Sequence, residues 1–211
     1  SVGGAETTAF TSDLASKTDV GTYTVTATIS SGNYAGSKGT ATWSITANTS
    51  TLTIELSATS FTYDGTEKSV TVKSVKSGST AITTYTTTGT LKATNVGTYT
   101  VTVTGTGNFA GAKGTATWSI GRASVSVPAS PSAKTYNGAN QAHGITIPGG
   151  TSIVTASSTT SAINAGTYTV TFQVDGNHKW SDGSTGTKAV TWKINPKSLA
   201  ISWSNASLTY T

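Results

Sequence analysis

Apolar and polar residues alternate strictly over residues 97–104. Tyr99, Val101 and Val103 fall on one side, and Thr98, Thr100, Thr102 and Thr104 on the other. A period of two marks a strand with one face in a core and one in water. The same phrase stands at 21–28 and 166–173. Each copy is followed by a second alternating run that closes on Trp-x-Ile, as at 114–120, where Ala116, Trp118 and Ile120 share a face. The Gly- and Asn-rich stretch between the two runs, for example 105–113, predicts a hairpin connection. The two strands are therefore expected to be antiparallel neighbours, with the Tyr of one and the Trp of the other in the same core.

The phrase belongs to a larger repeat. Trp43, Trp118 and Trp192 stand 75 and 74 residues apart, and Tyr63, Tyr136 and Tyr210 stand 73 and 74 apart. A unit runs from an opening strand through a Tyr-Asp/Asn-Gly turn and a variable middle to Gly-Thr-Tyr-x-Val and Trp-x-Ile. This spacing predicts complete modules at 47–120 and 121–194 and the back half of one at 1–46. Residues 195–211 read as the opening strand of a further module, or as a strand donated elsewhere. Linkers are almost absent, so an elongated, stiff array of nearest-neighbour units is expected.

Asp19-Val-Gly-Thr-Tyr23, Asn95-Val-Gly-Thr-Tyr99 and Asn164-Ala-Gly-Thr-Tyr168 match the tyrosine corner of immunoglobulin-like sandwiches, in which the Tyr hydroxyl returns to backbone a few residues upstream. Val25, Val101 and Val170 occupy the place of the second antibody cysteine, and the chain has no Cys. The expected class is all-β, with small Ig-like sandwich modules of about 75 residues in tandem; β-grasp-like modules are the alternative. Tyr23, Tyr99, Tyr168, Trp43, Trp118 and Trp192 are assigned to the structural core.

The Tyr-Asp-Gly turn (63–65; Tyr-Asn-Gly at 136–138), the Asn-x-Gly-Thr-Tyr-x-Val strand and the closing Trp-x-Ile together resemble tandem bacterial Ig-like repeats of the YDG/MBG type. The resemblance covers essentially the whole chain. It implies a surface or secreted bacterial protein in which such modules serve as stalk, spacer or adhesive elements, and it implies no catalytic residues.

Composition narrows the chemistry. The net charge of +5 is dispersed over loop lysines, without a basic block interleaved with aromatics, so nucleic acid is not the expected partner. No run approaches the roughly 18 apolar residues of a membrane helix. Ser1 opens a polar segment with no legible leader, the look of a mature or excised piece. The two histidines, His143 and His178, and the eight acids form no recurring set, so no enzyme and no cofactor are expected.

Two sites remain. Tyr34, Phe109 and Trp180 are placed at roughly equivalent hairpin positions beside Asn33, Asn108 and Asn177; buried, they anchor the hairpin over the edge of the core, the preferred reading, and exposed, they would stack on sugars. Trp180, next to His178, is the first candidate for contact with a glycan or host surface protein. Asp175, Asn177 and Asp182 form a weak oxygen-ligand set for Ca²⁺, without EF-hand spacing. Lys38, Lys113 and Lys188 recur near the last strand, but an intramolecular isopeptide crosslink also needs a nearby acid and no acid recurs with them, so it is not the expected reading. Finally, 195–211 and 1–46 are complementary halves of a module, so head-to-tail strand donation between copies is a candidate partnership.

Overall fold

The computed structural model describes residues 9–202. Tyr210 and most of the expected donated strand lie outside the described residues. The described chain is all-β: among these residues the only helical elements are two single 3₁₀ turns, Gly107–Phe109 and Thr155–Ser157. The β-grasp alternative requires a helix lying across the sheet, and the described residues contain none.

The strands are β1 (Phe10–Ser12), β2 (Gly21–Ile29), β3 (Lys38–Ile45), β4 (Leu52–Leu56), β5 (Ser60–Thr62), β6 (Lys68–Ser69), β7 (Val72–Ser77), β8 (Thr80–Ala81), β9 (Tyr85–Gly89), β10 (Lys92–Ala93), β11 (Gly97–Gly105) and β12 (Lys113–Gly121). They continue with β13 (Ala123–Val125), β14 (Lys134–Thr135), β15 (Gln141–Ala142), β16 (Thr151–Ile153), β17 (Ser161–Ala162), β18 (Gly166–Val174), β19 (His178–Trp180) and β20 (Lys188–Asn195).

The alternation works as expected. Val101 and Val103 of β11 are fully buried while Thr98 and Thr100 are exposed. Gly-Thr-Tyr strands and Trp-x-Ile strands pair antiparallel, with Tyr23 opposite Trp43 and Tyr168 opposite Trp192. The opposed rings stack at a tilt, 5.0 Å between centroids for Tyr23–Trp43, 4.8 Å for Tyr99–Trp118 and 4.8 Å for Tyr168–Trp192. The indole N–H of Trp118 donates to Thr90 O, and that of Trp192 to Thr159 O, each at 2.8 Å. Each buried indole thus satisfies its one polar atom.

The described residues divide into two compact units: 9–60, 67–93 and 98–119 in the first, and 61–66, 94–97 and 120–202 in the second. In the first, β1-β2-β3 form one sheet and β4-β7-β8 another. The four-stranded sheet containing β11 is ordered β5-β12-β11-β9, and β6 pairs with β10. Leu52, Val75, Ile82, Val103 and Ala112 form the core of this unit. In the second unit the order β14-β20-β18-β16 repeats that four-strand pattern, and β15-β17 repeats the β6-β10 pair. The opening strand β14 runs parallel to the closing strand β20. Its core is Ile145, Val170, Phe172, Trp180, Val190, Trp192 and Ile194.

The units do not follow the sequence repeats. Segments 61–66 and 94–97, parts of the 47–120 repeat, belong to the second unit together with most of the 121–194 repeat.

Candidate functional site: an asparagine latch

Two loop types make up the site. The first is the corner loop ahead of each Gly-Thr-Tyr strand. The Tyr23 hydroxyl donates to Asp19 O and the Tyr168 hydroxyl to Asn164 O, both at 2.7 Å, the expected tyrosine corner. The ring folds back so closely that a Cβ on Gly21 or Gly166 would lie 3.2 Å from its hydroxyl oxygen, which accounts for the motif glycine. Held this way, the loop offers the backbone N–H of the residue after Asp19, Asn95 or Asn164.

The second is the hairpin that follows the same strand in the next repeat. In the first unit it turns through the 3₁₀ segment Gly107–Phe109, with Gly107 at φ +58°. In the second it turns through Asp175, whose Oδ1 accepts from Asn177 N at 2.8 Å and from His178 Nδ1 at 2.7 Å. Burial works to raise the Asp175 pKa, but the hydrogen bonds from His178 and Asn177 outweigh it and hold the carboxyl below its usual range.

The two loops meet through one asparagine. Within the first unit, Asn108 Oδ1 accepts from Val20 N at 2.7 Å, its Nδ2 donates to Asp19 Oδ1 at 3.1 Å, and its carbonyl accepts from Asn48 N at 2.9 Å. Within the second, Asn177 Oδ1 accepts from Val96 N at 2.9 Å, its Nδ2 donates to Asn95 Oδ1 at 3.1 Å, and its carbonyl accepts from Ala123 N at 3.0 Å. Asn48 and Ala123 both stand five residues past a closing Trp. The same three bonds are thus made twice, from equivalent positions. An amide can donate and accept at once, so Asn suits a loop presenting one N–H and one side-chain oxygen. In the second latch, Arg122 Nε also donates to Gly176 O, and the His178 ring meets Tyr63 edge-on at 5.3 Å.

Tyr63 opens the Tyr-Asp-Gly turn, and the turn's own chemistry explains the signature. Asp64 Oδ1 accepts from Thr66 N, Asn137 Oδ1 accepts from Ala139 N, and Gly65 and Gly138 both sit at φ +81°. Asp and Asn close the same Asx turn.

Beside the first latch lies a cleft of about 490 Å³, lined by Asp19, Val20, residues 81–84 and the Gly107–Phe109 turn.

The sequence candidates separate sharply. Trp180 is 0% exposed, in the core of the second unit, and its indole N–H donates to Gly186 O at 2.6 Å. It offers no face to a sugar, which corrects its assignment as a ligand contact. The cause is β19, which runs parallel to β13 and turns Trp180 inward opposite Val125. The residue equivalent to Tyr34 and Phe109, directly after the hairpin Asn, is His178. Phe109 is half-buried against Leu52 and its neighbours while lining the cleft. Tyr34 is 57% exposed.

The three Ca²⁺ candidates are engaged separately. Asp175 is bound within its turn, Asn177 forms the latch, and Asp182 accepts from Ser184 and from Lys188 Nζ at 2.6 Å. The bond from Lys188 is the main reason the Asp182 pKa lies far below the ordinary carboxylate value. Among the described residues no three His, Cys, Asp or Glu gather as a metal site. Lys38 and Lys113 are exposed and Lys188 is paired with Asp182, whereas an isopeptide crosslink needs a buried lysine.

The family model of the MBG domain matches the chain in two tandem segments, residues 3–49 and 52–124. No curated protein matches it.

Proposed function

This chain belongs to the MBG domain family, and on that footing we propose that it is a spacer or stalk segment of a bacterial extracellular surface protein. The family supplies the coarser statement: a repeat module of a surface protein. The observation that supports a spacer role is the latch, made identically by Asn108 and Asn177. A chain whose task is to hold distance has reason to tie each repeat to the next, and tandem modules with nearest-neighbour contacts yield length as their simplest product. No helix of the described residues is long and apolar enough to cross a membrane.

The test is ¹⁵N relaxation on the intact chain. Residues of β2 and β11 are expected to report one rotational correlation time, and Asn108→Ala is expected to shorten that of β2 selectively. Independent tumbling of β2 in the unsubstituted chain would overturn the spacer reading.

A second reading, adhesion to a glycan, is favoured by the cleft beside Phe109 and by exposed Tyr34. Binding in a polysaccharide panel that is lost with Phe109→Ala or Tyr34→Ala would support it.

A further inference from the structure

Asp64 and Asn137 build the same turn but differ in reactivity. Asn137 Oδ1 accepts from Ala139 N at 3.0 Å, as Asp64 Oδ1 accepts from Thr66 N at 2.9 Å. This Asx turn curls the Asn137 side chain back along its own backbone, past the Gly138 peptide nitrogen. Asn137 is the one asparagine of the chain that is followed by glycine. Both residues of the pair are exposed, and Gly138 N–H donates to no backbone carbonyl among the described residues. Gly138 sits at φ +81°, and a Cβ built on it would meet nothing within 4 Å, so nothing shields its nitrogen from solvent or from the neighbouring amide. The latch asparagines are held differently. Asn108 and Asn177 have both polar side-chain atoms bonded to the corner loops, and Phe109 and His178 follow them.

We infer that the Asn137–Gly138 turn is a modification site, at which the folded chain deamidates through a cyclic imide. Gly138 N gives its proton to solvent and attacks Asn137 Cγ. The Ala139 N–H, already donating to Oδ1, steadies the negative charge that develops on that oxygen. The Cγ–Nδ2 bond then breaks, Nδ2 takes a proton from water, and ammonia leaves. No oxidant or reductant is involved. Water next opens the imide at one of its two carbonyls. Breaking the bond to Cγ yields Asp. Breaking the bond to the Asn137 backbone carbonyl yields isoaspartate, in which the chain runs through the former side-chain carbon. The carboxylate of Asp64 resists the same attack, because its carbon is shielded by negative charge and has no neutral amine to release. The two products differ in consequence. Asp at 137 keeps the acceptor for Ala139 N and reproduces the Asp64 turn. Isoaspartate adds a carbon to the backbone between Tyr136, whose N–H donates to Asn195 O, and β15. The site is independent of the spacer reading and of the latch.

The experiment ages the intact 211-residue chain in mildly alkaline H₂¹⁸O and maps its peptides by mass spectrometry, with fragmentation that separates Asp from isoaspartate. A synthetic peptide of residues 134–141 is aged beside it as the unfolded reference. The expected result is ¹⁸O-labelled Asp and isoaspartate at position 137 in the folded chain, ahead of every other asparagine, with Asn108 and Asn177 unchanged and Asp64 unlabelled. Asn137→Ser, which keeps a short side chain able to close the turn, is expected to release no ammonia over the same period. The inference is overturned if the peptide converts fully while position 137 of the folded chain stays an amide. It is equally overturned if another asparagine reacts first, or if Asn137→Ser releases ammonia as fast as the parent. Amide resonances of β18 and β20 recorded before and after ageing verify that the chain reacts while folded.

Discussion

Single side chains here carry sharply different loads. Trp180 is sealed in a core with its indole N–H bonded, so Trp180→Ala removes a large buried ring and leaves Gly186 O without that donor. The expected cost is about 3–5 kcal/mol, read as a lowered denaturation midpoint of the β18–β20 sheet. Tyr168→Phe keeps the ring stacked on Trp192 and removes only the bond to Asn164 O. Its expected cost is about 1 kcal/mol. A Trp180→Ala protein as stable as the parent would contradict the buried placement. Neither residue could be sorted by composition: both are aromatics in Gly-rich surroundings, and only the corner motif marks Tyr168 as structural.

At the level of elements, the strands with clear alternation were legible in advance. The β11–β12 and β18–β20 hairpins follow directly from the Thr/apolar period and the Trp-x-Ile close. The parallel pairing of β13 with β19 was not, because three residues such as Ala123–Val125 carry too little period to register. That short pairing is what buries Trp180 and displaced the expected ligand contact. The latch was only half legible. The hairpin asparagines and the corner-loop Asp19, Asn95 and Asn164 recur in the sequence, yet the partners lie 81 to 90 residues apart for the bonds of Asn177 and Asn108 to those loops, and local patterning says nothing at that range. Its chemistry makes a prediction. Asn108→Asp sets a carboxylate against the Asp19 carboxylate, whereas Asn177→Asp meets the Asn95 amide, which can turn its NH₂ toward it. The first substitution is expected to loosen its latch more than the second, and the difference should shrink in high salt. Equal effects on the Val20 and Val96 amides would contradict the assigned partners.

Across the whole molecule, the all-β class and the family resemblance were recoverable from recurring residues, because the same Tyr–Trp stack is rebuilt three times. The division into compact units was not, because residues 61–66 and 94–97 of one sequence repeat fall in the unit that holds most of the next repeat. The array is thus described by two interaction classes, an apolar core within each module and a polar joint made by one asparagine at each step. The most direct test is native-state amide exchange at Val20, Val96 and Ala165 in dilute protein, with and without Asn108→Ala and Asn177→Ala. Protected Val20 and Val96 amides, each released only by its own substitution, with Ala165 exchanging freely throughout, are the predicted result. Exchange at Val20 and Val96 as fast as at Ala165, unchanged by either substitution, would contradict the latch.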